Sequence, residues 1–275
     1  MLRKLIFFFL IISLAACKTA EIEKVDENQL QETHKKLLSF IENDSVAAFK
    51  NLFEESNFQP NHANRGTTLL FKAVGKNNLE ITQFLLKNGA DVNYISNYGT
   101  VMHWALETDR IKFAELLLNS GFDASVENKM VKNPDPLNVK AAFLVNEDDK
   151  NIKLFRELLK HGMNPNLKDR TGASALILAC YFANSDLISL LYKNGADMNI
   201  KAISWKDNPN FTPTEFTINQ YTPLMIATLF EKTAVVAQLL GYPEVDQTIK
   251  GLKNKKTAYD IALETKNDAL IALFE

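Results

Sequence analysis

Four histidines and a single interior cysteine, Cys180, are the first groups on which any chemistry in this chain would have to rest. His34, His62, His103 and His161 are scattered. No G-x-S-x-G, H-E-x-x-H, Walker loop, C-x-x-C pair or EF-hand loop occurs, so neither a nucleophile and its base nor a metal-ligand set converges. Cys180 follows Ala179 inside an apolar run with no adjacent base, which reads as an inert core thiol. Asp91, Asn93, Asp197 and Asn199 offer oxygens for calcium, yet at this spacing they read as turn formers that bond their own backbone. The expectation is a noncatalytic protein with no cofactor and no metal.

The other cysteine, Cys17, carries a different chemistry. Arg3 and Lys4 precede an apolar run from Leu5 to Ile12 that is too short to span a bilayer of about 30 Å, the pattern of a signal peptide over residues 1-16. The run ends Leu14-Ala15-Ala16-Cys17, which resembles the lipobox of bacterial lipoproteins, whose cysteine is diacylated and becomes the mature N-terminus. That resemblance implies a protein held to the membrane through its N-terminal lipid alone. Lys18 after the cysteine, in place of Asp, implies delivery to the outer membrane by the sorting rule of Gram-negative lipoproteins, and the expected location is the cell envelope, on the side of that membrane facing the periplasm. Lipid on Cys17 leaves Cys180 without a disulfide partner. Removing the signal leaves 29 basic against 33 acidic residues, with no basic stripe of the kind a nucleic-acid binder needs. Residues 17-28 comprise the lipidated Cys and a polar tether that reaches at most about 35 Å when extended.

Helical spacing of apolar residues starts at Leu30, and residues 29-64 read as a pair of N-terminal capping helices. From 65 to 275 one unit recurs. Residues 88-93 read NGADVN and 194-199 read NGADMN, and in each case the Gly lies 16 residues after an Ala inside a T-x-L-x-x-A or S-x-L-x-x-A segment. Thr68, Leu70, Ala73 and Gly89 begin the series. Thr100, Met102, His103, Ala105 and Gly121 follow, then Ser174, Leu176, Ala179 and Gly195, then TPLMIA at 222-227 and TAYDIA at 257-262. Such self-similarity, at a period of about 33, means a stacked solenoid and not one globular core.

These residues resemble the ankyrin-repeat signature, T-P-L-H-x-A followed by L-L-x-x-G-A-D-x-N. The resemblance implies an all-α solenoid of about five to six helix-turn-helix repeats joined by β-turn fingers. His103 stands at the signature's histidine, where the ring ties the turn by hydrogen bonds. The third copy departs from the pattern: Ala141 to Gly162 is 21 residues, so about five residues, 145-149, are expected to lengthen the turn between its helices. Two further insertions extend the fingers at 129-136 and 202-220.

The resemblance also implies protein binding through the finger tips and the exposed side of each first helix. The two positions that point there are polar or small in the first two copies: Gly75 and Lys76, then Glu107 and Thr108. In the later copies they become Phe143 and Leu144, Tyr181 and Phe182, and Leu229 and Phe230. The 202-220 insertion adds Trp205, Phe211 and Phe216. A contiguous apolar strip marks an interaction site. Either a protein partner buries it, with the insertion as a second lip, or the insertion itself covers it. The expectation is a monomer until a partner binds. Among bacterial ankyrin lipoproteins one implied role is immunity, the blocking of a toxic effector such as a phospholipase; the alternative is a periplasmic scaffold or stress-protection adaptor that supports an envelope enzyme.

Overall fold

The computed structural model describes residues 27–129, 135–169, 171–202 and 220–275. Cys17, Trp205, Phe211 and Phe216 lie outside these residues, as do the signal peptide and most of two expected finger insertions.

The described residues up to 59 form one compact unit and those from 60 to 275 a second. In the first, α1 (Glu27–Glu42) and α2 (Val46–Glu55) are joined by a tight turn at Asp44, whose φ is +54°. Both are amphipathic, and they bury His34, Leu37, Ile41, Phe49 and Phe53 together with Phe58. The rings of Phe49 and Phe53, and of Phe53 and Phe58, each stand 6.0 Å apart, and His34 meets Phe58 edge-on at 5.7 Å.

The second unit is a row of helix pairs. Its first helices are α3 (Leu69–Gly75), α5 (Val101–Glu107), α7 (Leu137–Glu147), α9 (Ala175–Tyr181), α11 (Pro223–Leu229) and α13 (Ala258–Thr265). Each is followed by its partner: α4 (Leu79–Lys87), α6 (Ile111–Asn119), α8 (Ile152–Lys160), α10 (Ser185–Lys193), α12 (Thr233–Leu240) and α14 (Asp268–Ile271). Every first helix packs on the next first helix and on its own partner. Ala73, Ala105, Ala141, Ala179, Ala227 and Ala262, all buried, occupy the same position five residues after the helix N-cap, where a larger side chain would hold neighbouring backbones apart. No strand is present among the described residues beyond single bridges at two fingers, Asn64 with Thr67 and Ser96 with Gly99.

Local chemistry sets the boundaries. Ser174 and Thr222 accept the amide hydrogens of Ile177 and Met225 at the starts of α9 and α11. His103 Nδ1 accepts the amide hydrogen of Thr100 at 3.2 Å and lies 2.8 Å from its hydroxyl, so the ring fastens the start of its own helix. Gly89 and Gly195 take φ of +83° and +78° just past α4 and α10, the left-handed closure expected of the NGAD motif. Between the two helices of a pair the left-handed position falls on non-glycine residues: Asn77, Asp109, Ala183, Glu231 and Lys266.

The third copy corrects one expectation. Val145 stands where its counterparts turn left-handed, and a β-branched residue resists that conformation. The helix therefore continues, making α7 11 residues long where α3, α5, α9 and α11 have 7. Asp148 then accepts the Lys150 amide and starts a short 3₁₀ turn, Asp149–Asn151, while Asn151 Nδ2 donates back to the Leu144 carbonyl at 2.9 Å. The extra residues extend the first helix more than the loop.

Candidate functional site

Numbering from the N-cap of each first helix gives the copies a common frame. The seventh and eighth residues are Gly75 and Lys76, Glu107 and Thr108, Phe143 and Leu144, Tyr181 and Phe182, Leu229 and Phe230, and Glu264 and Thr265. The partner helices cover the opposite side of the layer, so these positions sit where a first helix can reach solvent. Phe143 and Tyr181 are 42% exposed, Phe182 is 47% and Phe230 is 36%. Leu229 is half-buried. Leu144 does not join the strip: at 7% exposure it is core, because α7 runs on past it and turns its side chain inward.

The four exposed rings form a connected ridge across three copies. Phe143 meets Phe182 edge-on at 6.3 Å, Phe182 meets Tyr181 at 5.0 Å, and Tyr181 meets Phe230 at 4.7 Å, with interplanar angles of 71°, 86° and 84°. Twice the seventh-position ring of one copy meets the eighth-position ring of the next, so the repeat itself builds the ridge. Edge-to-face pairs each contribute about 0.5–1.5 kcal/mol beyond the area they bury. The rings hold one another in place before anything binds.

A second pairing crosses the copies. A Cβ built on Gly75 would lie 3.2 Å from Trp104 Nε1, so the indole of the second copy fills the room left by the missing side chain in the first. Trp104 is 41% exposed and escaped the sequence reading, since its neighbours on the strip are polar; the signal was Gly75. One copy further on, the same two positions hold Glu107 and Lys140, which form an ion pair. Burial of most of its side chain pulls the Lys140 ammonium below the ordinary lysine range. The exposed stripe thus carries Trp104, then an ion pair, then the aromatic ridge.

The finger residues considered for calcium are occupied otherwise. Asp91 and Asp197 accept the amide hydrogens of Asn93 and Asn199 at 2.8 and 2.9 Å. Each asparagine then bridges to the following copy. Asn93 donates to the Gly121 carbonyl and accepts from the Asp123 amide at 3.2 and 2.8 Å. Asn61, Asn166 and Asn199 make the same two bonds to Gly89 and Asp91, to Gly195 and Asp197, and to Glu244 and Asp246. At the third copy Ser125 stands in the asparagine's place, and the joint is made by the Ala124 amide on the His161 carbonyl and His161 Nδ1 on the Phe122 carbonyl. Among the described residues no cluster of three or more His, Cys, Asp or Glu could hold a metal ion. Cys180 is fully buried, and desolvation pushes its thiol far above the ordinary range. No helix among the described residues is long and apolar enough to cross a membrane.

Comparison with known proteins agrees with this geometry. The family model described as ankyrin repeats (3 copies) matches residues 37–129 and 128–202. A putative ankyrin repeat-containing protein of Treponema pallidum is 32% identical over 130 residues, 46% of this chain and 41% of that protein. One from Rickettsia felis is 28% identical over 134 residues, 49% of this chain and 44% of that protein. The matched stretches span less than half the length of these relatives. Among solved structures, the ankyrin repeat domain of Bcl-3 superposes with a TM-score of 0.60 at 19% identity, covering 86% of this chain and 96% of that one. The human ASB11 ankyrin repeat domain gives 0.55 at 20% identity with the same coverage. At such identities the likeness is one of fold.

Proposed function

Because the chain belongs to the ankyrin-repeat family, whose repeats mediate protein binding, we propose that the ridge of Phe143, Phe182, Tyr181 and Phe230 is the docking surface of a noncatalytic protein complex. The observation that carries the reading is the connected, part-exposed aromatic row itself. Burying each ring on a partner contributes about 1–2 kcal/mol from apolar area. Four such anchors, already oriented by their mutual contacts, offset a sizeable part of the cost of association.

The L-A-A-C sequence at Cys17 supports placing this surface in a bacterial envelope, held by lipid. In that setting the protein acts as an immunity factor: it neutralises a toxic effector, such as a phospholipase, by plugging the opening of its active site with the ridge. A preformed row of rings suits this role better than it suits a loose tether.

The test is capture of envelope proteins by purified residues 18–275 beside a Phe182→Asp, Phe230→Asp double variant whose circular dichroism and melting match the parent. A partner retained by the parent, lost by the variant and inhibited by the complex supports the reading. A partner whose own activity is metabolic and undiminished in the complex replaces immunity with an adaptor role. Equal capture by both proteins removes the ridge from the account.

A further inference from the structure

The fingers that lead into the later first helices carry a charge pattern that the ridge does not explain. Residues 247–257 contain four lysines, Lys250, Lys253, Lys255 and Lys256, and no Asp or Glu. Lys201 and Lys168 lie on the two preceding fingers. Those three fingers are neighbours: Lys168 Nζ donates to the Lys201 carbonyl at 3.2 Å, the Ala202 amide joins the two ends of the fifth finger on the Tyr221 carbonyl at 2.9 Å, and Asn254 Nδ2 donates to the Tyr221 hydroxyl at 2.6 Å. The six lysines therefore belong to three adjoining fingers, which make one edge of the stack.

Among the described residues the acids that reach them are few: Asp197 acts on Lys168, Asp260 on Lys250 and Lys256, and Glu264 on Lys256. Asp169 is buried, and its Oδ1 accepts from the Thr171 amide and hydroxyl and from the Ala173 amide. Lys256 pairs with Glu264. Asp260 is engaged by the Thr257 amide and hydroxyl. Lys201, Lys250, Lys253 and Lys255 are exposed, and none forms an ion pair among the described residues. The fingers of the first two copies carry one exposed cation between them, Arg65, and the aromatic Tyr98. The basic edge thus belongs to the same half of the stack as the aromatic ridge.

The two features are close enough to serve one ligand. On the fourth and fifth fingers the ridge positions lie seven and eight residues into the helices that follow, roughly 10–12 Å along the helix axis at 1.5 Å per residue; the sixth finger leads into α13, which carries Glu264 and Thr265 there, so its lysines stand one helix layer further across, about 10 Å. About five residues of extended chain, or three turns of helix, cover the combined distance.

Building on the docking surface proposed above, we infer that its partner is an acidic protein segment with large apolar side chains, whose apolar residues seat on the ridge while its carboxylates meet the lysine edge of the fourth to sixth fingers. The protein's own charge is mildly negative overall, so a uniformly acidic partner is repelled except at this edge. The lysines then set partner choice and association rate, and the rings set residence time.

The probes are two synthetic amphipathic helical peptides with the same leucine and phenylalanine face, one with glutamates on the polar face and one with lysines, and vesicles of phosphatidylglycerol. Binding to the full chain is measured by fluorescence anisotropy for the peptides and by co-sedimentation for the vesicles. The proteins compared are the parent, Lys253→Glu with Lys255→Glu, and Phe182→Asp with Phe230→Asp, all with matching circular dichroism. The proposal expects the acidic peptide to bind at least tenfold tighter than the basic one, to weaken about tenfold between 50 and 300 mM salt, and to be lost in both variants. Equal affinity for the two peptides, or loss in the ring variant alone, overturns the acidic partner and leaves the ridge reading standing. Loss in the lysine variant alone overturns the shared site and takes the ridge reading with it. Binding of neither peptide, or vesicle binding that depends on Lys253 and Lys255 without peptide binding, also overturns it, the latter in favour of an anionic membrane.

Discussion

At the scale of single residues, the amide side chain of Asn93 shows how far a local reading of sequence reaches. Its neighbour Asp91 does what turn chemistry predicts, accepting the backbone amide two residues on. Asn93 itself spends both ends of its amide on the next copy, on the Gly121 carbonyl and the Asp123 amide, 28 and 30 positions away. Replacing it by alanine removes two inter-copy hydrogen bonds and is expected to cost about 1–2 kcal/mol, read as a lower urea midpoint with little change in slope. Nothing local announces that role, because the signal is the recurrence of Asn61, Asn93, Asn166 and Asn199 at equivalent places in the repeat. Trp104 was hidden for a similar reason. Its seat follows from what the preceding copy lacks at Gly75 and from no property of its own neighbours.

At the scale of elements, the periodic apolar positions and the left-handed glycines were legible, because both obey rules of spacing and backbone sterics. The register of the strip was legible only in part. Phe143, Tyr181, Phe182 and Phe230 are exposed as the pattern requires, but Leu144 is buried, since the continuing turn of α7 at Val145 changes what faces solvent. Competition between a helix and a turn at one β-branched residue decides that outcome. The last first helix, α13, carries a reciprocal capping box in which the Thr257 amide and hydroxyl donate to Asp260 while the Thr257 hydroxyl accepts from the Asp260 amide. These bonds hold the Asp260 carboxyl below its ordinary range, the backbone bond contributing first. Its folded pKa is depressed, so its stabilisation is complete above the unfolded value and is lost as pH falls through the ordinary carboxylate range toward the folded one. Asp260→Asn is expected to lower the melting temperature at neutral pH and to flatten its fall under acid; a variant with an unchanged acid slope removes Asp260 from that account.

At the scale of the whole stack, each described helix pair of residues 60–275 makes its main contacts with its neighbours, so stability is close to a sum of copies and joints. Among the described residues the pair α13 and α14 packs on a neighbouring pair on one side alone. The partner helix α14 is 4 residues long, and Tyr259 and Leu263 of α13 are exposed where their counterparts Leu224 and Thr228 are buried. Amide hydrogen exchange is therefore expected to run fastest in α13 and α14 and slowest in α9 and α11. Uniform protection across these four helices would mean that the stack opens as one unit.

The four asparagine bridges also make the protein editable in length. Asn61 and Asn93 present the same donor and acceptor to the same pair of backbone groups. Excising residues 62–93 would leave Asn61 facing Gly121 and Asp123 through an unchanged fitting, and duplicating them would add a layer with matching ends. The seam at Ser125 has no such interchangeability, because its joint runs through His161 and fits one neighbour. Gain and loss of copies would thus be confined to either side of the third, whose place in the order of the stack is fixed by its own misfit.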